Sequence, residues 1–199
     1  MKAADRYKLN YSYLLKIIVL VSVLWTIIVL ASLARSIFDV HQDTMNSAKR
    51  EAVTNFNKDV AFRNWASDRG GVYVSPDNST PPSPYLTNVP DRDVVTNTGK
   101  KLTLMNPAYM LRHAMNEYSA VYGVQGRITS LKYLNPMNKP DEWEIRALRA
   151  FESGTKEVFE VSSINGEPHL RLMRPLFTKK SCLKCHGHQG YKEGDVRGV

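Results

Sequence analysis

Cysteine is scarce in this chain: only Cys182 and Cys185 occur among 199 residues. A domain stapled by disulfides spaces several cysteines along its length, so that framework is excluded and the pair has a local task. Clustered basic charge is also missing. The formal net charge is +8, yet Lys2, Arg6, Lys8 and Lys16 against Asp5 put +3 into the first sixteen residues and leave only +5 for the rest. In that remainder acids and bases alternate, so no nucleic-acid partner is expected. Paired carboxylates, a Ser/His/Asp set and a phosphate-cradling loop do not appear as patterns, so no enzymatic role is expected.

One long apolar run is present. Residues 17–34, IIVLVSVLWTIIVLASLA, carry no charge. As a helix they span about 27 Å, close to the hydrocarbon thickness of a bilayer. Basic residues precede the run and Asp39 and Asp43 follow it. The positive-inside rule then leaves residues 1–16 cytoplasmic, makes 17–34 a single transmembrane helix in contact with membrane lipid, and sends 35–199 outside. Ser32-Leu33-Ala34 also fits a small-x-small cleavage site, but the length of the run favours an uncleaved anchor. Both readings export the domain.

Beyond the run, Phe38, His41, Met45, Ala48, Ala52, Phe56 and Val60 recur every three or four residues, predicting one amphipathic helix over residues 36–66. Its stripe has two expected uses, packing on the chain's own domain or forming a homodimer. Joined to the anchor, it would also suit transmission of a rotation or piston motion. Gly70-Gly71 ends it, and Val72–Val74 is a strand candidate. Residues 75–100 read as a long polar loop and Lys101–Leu104 as a strand. Asn106-Pro107 opens a helix to about Tyr118, and Arg127–Tyr133 alternates like a strand. Pro140, Asp141 and Glu142 open another helix that Gly154 closes. Asn165-Gly166 joins two strands as a hairpin. The expected class is α+β, with helices on one face of a small antiparallel sheet.

The segment Cys182-Leu183-Lys184-Cys185-His186 is the attachment pattern for a c-type haem. Two thiols separated by two residues can each add to one vinyl group of a porphyrin, and the adjacent imidazole then serves as proximal iron ligand. One covalent haem c is therefore expected, on Cys182 and Cys185, with His186 on the iron. A dithiol redox pair needs no following histidine, and a closed zinc site needs four ligands at wider spacing. For the opposite side of the iron the candidates are Met110 and His113, at i and i+3 on one helix with Met105 and Met115 nearby, and an open or water-bound position is an equal alternative. His41 and Met45 are further candidates if the chain is a dimer.

These residues, taken in order, resemble the exported haem-binding sensor family with a PAS-like fold, found at the N-termini of bacterial histidine kinases, diguanylate cyclases and chemotaxis receptors. The matching segments are Arg63-Asn64-Trp65-Ala66 with Gly70-Gly71-Val72-Tyr73-Val74, and Leu102 to Met110. Leu134-Asn135-Pro136, Asn138, Pro140-Asp141 and Trp143-Glu144 follow, then Cys182-x-x-Cys185-His186-Gly187. The resemblance implies thioether anchors at Cys182 and Cys185 and a proximal ligand at His186. Some relatives place another cysteine in the first helix as a distal ligand; no third cysteine exists here, so that role does not transfer. Family domains also finish with another strand, a second span and a signalling module. Asp195–Val199 reads as the start of that strand, so the chain is expected to be a fragment or a short stand-alone version. The expected function is a periplasmic redox or small-gas sensor anchored in the bacterial inner membrane. The alternative is a membrane-bound electron-transfer cytochrome or an accessory cytochrome subunit.

Overall fold

The computed structural model describes residues 2–199, and side-chain surroundings for all of these except residues 2–10, Tyr122 and Lys184. The basic side chains Lys2, Arg6 and Lys8 of the expected cytoplasmic end thus lie outside the described side chains. The chain divides into two compact units, Met1–Ala48 and Lys49–Val199. The first helix, α1 (Lys2–Asp68), supplies the described part of the former and enters the latter. In the first unit the apolar run is helical throughout, long and apolar enough to cross a membrane, with none of it buried. Trp25 is 67% exposed and Ile28 61%.

The second unit mixes helices with short antiparallel strands, as expected, but the strands make three small sheets rather than one. Strand β1 (Val72–Val74) and β2 (Asp93–Val95) flank β3 (Lys101–Met105). Strands β4 (Val158–Ile164) and β5 (Glu167–Met173) form the hairpin. Strand β6 (Leu176–Phe177) pairs with β7 (Val196–Gly198). The expected small antiparallel sheet is thus found as three separate small sheets, which do not by themselves establish a PAS-like arrangement.

Local chemistry accounts for most of these elements. Asn106 caps α2 (Pro107–Tyr122) by accepting from the Tyr109 N–H at 2.8 Å, and Pro107 takes the first helical position. The helix outruns its expected end at Tyr118 and stops where Gly123 turns left-handed. Asp141 and Glu144 form a reciprocal capping box, each bond 2.7 Å, at the start of α3 (Glu142–Glu152). The hairpin turn sets both Asn165 (φ 54°) and Gly166 (φ 87°) at positive φ, which the tight two-residue connection demands.

Two expectations give way to tertiary context. The polar stretch 75–100 contains β2 and buries Leu86; Thr103, fully buried, donates to the Asp93 carboxylate at 2.7 Å and ties that stretch to β3. Arg127–Tyr133 is not a strand. Its polar groups bind across a loop instead: Arg127 donates to the Lys139 carbonyl and Thr129 Oγ1 to that of Asn138 at 3.0 Å.

The core is built on one face of α3. Trp143, Ala147, Leu148 and Phe151 pack with Met173 and Val199, and Phe56 of α1 closes on them. Met45, Ala48, Ala52 and Val60 on the same stripe are half-buried while Phe38 and His41 are exposed. At the far end, Gly198 has φ 149°, and a Cβ there would collide with the Thr129 carbonyl oxygen. The backbones of Thr129 and Val199 exchange hydrogen bonds of 3.0 and 3.3 Å at that point. Replacing Gly198 by Ala is expected to destabilise the chain by about 1–3 kcal/mol in urea unfolding of the detergent-solubilised protein. Gly187→Ala, where φ is −59° and nothing lies within 4 Å, is expected to stay within about 0.5 kcal/mol.

Candidate functional site

The cysteine motif sits on α4 (Lys180–His186), inside an excursion whose two ends are pinned together. Thr178, 2% exposed, donates from its N–H to the Asp195 carbonyl at 2.8 Å and accepts from the Gly194 N–H at 2.9 Å. The residues between leave this pin as a helix, turn at Gly187–Gln189 and return as β7.

The last turns of α1 hold the same helix. Lys179 Nζ donates to Asn64 Oδ1 at 3.2 Å, the Ser67 and Ser181 hydroxyls meet at 3.0 Å, and Arg63 hydrogen-bonds Cys182. Cys182 and Cys185 are half-buried, unbridged, and separated by about one helical turn, so their sulfurs lie on one side of α4. The Sγ of Cys182 accepts the Lys179 N–H at 3.4 Å.

His186 is held from two directions. Its Nδ1 is 2.7 Å from Gln189 Oε1, and the Gln189 amide donates to the Lys132 carbonyl at 3.0 Å. The amide oxygen can only accept, so Nδ1 carries the proton and Nε2 keeps its lone pair. Arg197 Nη2 stands 3.1 Å from Nδ1 and 3.3 Å from Nε2. Burial, and next the Arg197 charge, push the imidazole pKa down to about 4, so the ring is neutral at neutral pH. The Tyr191 ring meets it edge-on, centroids 6.5 Å apart. A neutral imidazole with an oriented second nitrogen is the form that binds a metal.

Cys185 and His186 open onto a narrow cleft with about 80 Å³ of enclosed space. Arg63, Arg112 and Arg197 line it, together with Tyr85 and Tyr109. A second cavity, walled by Leu148, Phe151 and Phe177, includes neither cysteine nor His186. The α2 helix faces the cleft through Ala108, Tyr109 and Arg112 rather than through Met110 or His113. His113 instead pairs with Glu117 at 3.3 Å along its own helix. His41 belongs to the other unit. Among the described residues no group of three or more His, Cys, Asp or Glu side chains is arranged to hold a metal ion, so the four-ligand zinc alternative is not assembled.

Sequence reasoning did not single out Gln189, Arg112 or Arg197, and it met Arg63 only inside a matching segment. Gln189, three residues beyond the histidine, carried a local signal. Arg197 carried none, because its approach to His186 depends on the β6–β7 pairing.

The Tll0287-like family model matches residues 40–199. The chain belongs to the Tll0287-like family. Among solved structures it is similar to the cyanobacterial haem protein Tll0287, with a TM-score of 0.50, 16% identity, and coverage of 75% of this chain and 89% of that one. No curated protein matches. The likeness at this identity concerns the fold, and the family's segment includes the entire α4 excursion.

Gln189→Leu removes the acceptor that fixes the imidazole tautomer. In ¹⁵N spectra of the metal-free chain His186 is expected to shift from the Nδ1–H form toward a tautomer mixture, whereas Gln125→Leu should leave it unchanged.

Proposed function

We propose that this chain is a membrane-anchored, exported haem protein in which Cys182 and Cys185 bind one haem c and His186 is the proximal iron ligand. Its proposed role is to sense redox state or a small gas. The observation that carries the reading is the presentation of Cys185 and a neutral His186 on one cleft, in a family whose structurally similar member is a haem protein. The residues fit the group. Both sulfurs lie on one side of a single turn, Nε2 keeps its lone pair, and buried arginine nitrogens in the cleft lack partners.

When bound, the haem would supply a one-electron redox centre and an iron able to take a small gas. Each thiol would add its sulfur and hydrogen across one vinyl double bond, with nothing leaving. Gln189 would hold the imidazole proton on Nδ1 and so direct Nε2 to the iron. Arg197 Nη2, now 3.3 Å from Nε2, would have to withdraw for that bond to form. The apolar segment 17–34 and the positive-inside rule support export, which bacterial haem attachment requires. The sensor role is supported by the contacts of Arg63, Asn64 and Ser67 with α4, since a change at His186 would reach the end of α1 first.

After maturation by export-side haem machinery, the wild-type chain is expected to keep its Soret absorbance through acid–ketone extraction. Cys182→Ala with Cys185→Ala should lose it. A wild-type chain matured in this way that shows no Soret band would sink the haem reading. Carbon monoxide binding to the reduced protein is expected for a gas sensor. A low-spin iron with two protein ligands and no carbon monoxide binding would instead indicate an electron carrier.

A further inference from the structure

The cleft has an electrostatic asymmetry that the cysteine motif does not explain. Three guanidinium groups line it, Arg63, Arg112 and Arg197, and no Asp or Glu side chain does. Among the described residues none of the ion pairs includes any of the three. The Nε atoms of Arg112 and Arg197 are buried without a hydrogen-bond partner. Buried donors of this kind are normally paired, and a buried charge normally has a counter-ion. Their neighbours are neutral groups: Tyr85 and Tyr109 beside Arg112, Ser130 and Tyr191 beside Arg197. Burial pushes all three guanidinium pKa values down, and Arg63 and Arg197 repel one another.

We propose that Arg112 and Arg197 form a carboxylate pole of the cleft and receive the propionate side chains of the haem. This rests on the haem reading above. In a guanidinium the Nε–H and Nη2 share one edge, the edge that matches the two oxygens of a carboxylate. For Arg197 that edge holds both the unpartnered Nε and the Nη2 now beside His186. A carboxylate there engages both donors and draws Nη2 away from the imidazole, which frees Nε2 for the iron. Attachment and ligation are thus linked through one side chain. Arg112, on α2, offers a second unpartnered Nε from another wall of the cleft.

The test uses the full-length chain in detergent with Cys182→Ala and Cys185→Ala, so that porphyrin binding is reversible and read by the Soret shift. Iron protoporphyrin IX is compared with its dimethyl ester, which lacks the propionate charges. The free acid is expected to bind about tenfold or more tightly than the ester, the scale of one to two charge-assisted hydrogen bonds. Adding Arg112→Gln and Arg197→Gln should bring that ratio near one while ester binding is retained, and retained ester binding shows the fold is intact. Arg112→Gln alone, away from His186, should lower the ratio part-way and serves should the double variant bind neither. A parent ratio of one, or a ratio unmoved by the arginine changes, overturns the assignment and leaves the haem reading standing. Failure of the parent to bind either porphyrin overturns both. Arginine-dependent thermal protection by succinate, together with equal binding of acid and ester, would reassign the pole to free carboxylates.

Discussion

Everything at the site depends on two hydrogen bonds that close the base of the α4 excursion. Thr178, buried, gives its N–H to Asp195 and takes one from Gly194. A helix of seven residues has little stability of its own, so α4 cannot set the direction of Cys182, Cys185 and His186 unaided. The pin makes the two ends of the segment neighbours, and the β6–β7 ladder then brings Arg197 alongside His186. The last turns of α1 supply the other support, through side chains rather than a ladder. Geometry that resembles a local motif is thus a tertiary product.

Electrostatics at this point runs against ordinary surface practice. Arginines in proteins commonly find carboxylates, and elsewhere in this chain they do. Arg174 meets Glu157 at 2.6 Å, and Arg171 meets Asp141 at 2.8 Å while stacking on Trp143. Around the cleft the same residue type is left among hydroxyls and phenols. The contrast within one fold marks the cleft as a place where positive charge is retained at a cost to stability.

What could be read from the sequence was whatever is encoded over a few residues. The Asn106-Pro107 cap, the Asp141–Glu144 box, the Asn165-Gly166 turn and the apolar 17–34 run each have a short-range physical signature, and each appears at its expected place. The alternation in Arg127–Tyr133 misled because period-two patterning does not reveal whether a partner strand exists. There the backbone of Thr129 meets only the final residue, Val199. Division of the strands into three sheets is a matter of which edges meet, and no local signal encodes it. The same holds at the site. Cys182, Cys185 and His186 were legible as a motif, whereas Arg112 and Arg197 converge from α2 and β7 and are ordinary residues in sequence.

The β4–β5 hairpin has a further consequence, for association between molecules. Its two strands pair only with each other, so both outer edges offer backbone groups to any extended chain that approaches. Pro168 stands opposite Ser163, one step from the turn-flanking pair Ile164 and Glu167. In that register its missing N–H falls on the outward edge. Glu160 and Arg171, directly opposite one another further along, put charge on the ribbon. A hairpin equipped in this way resists edge-to-edge pairing with its own copies.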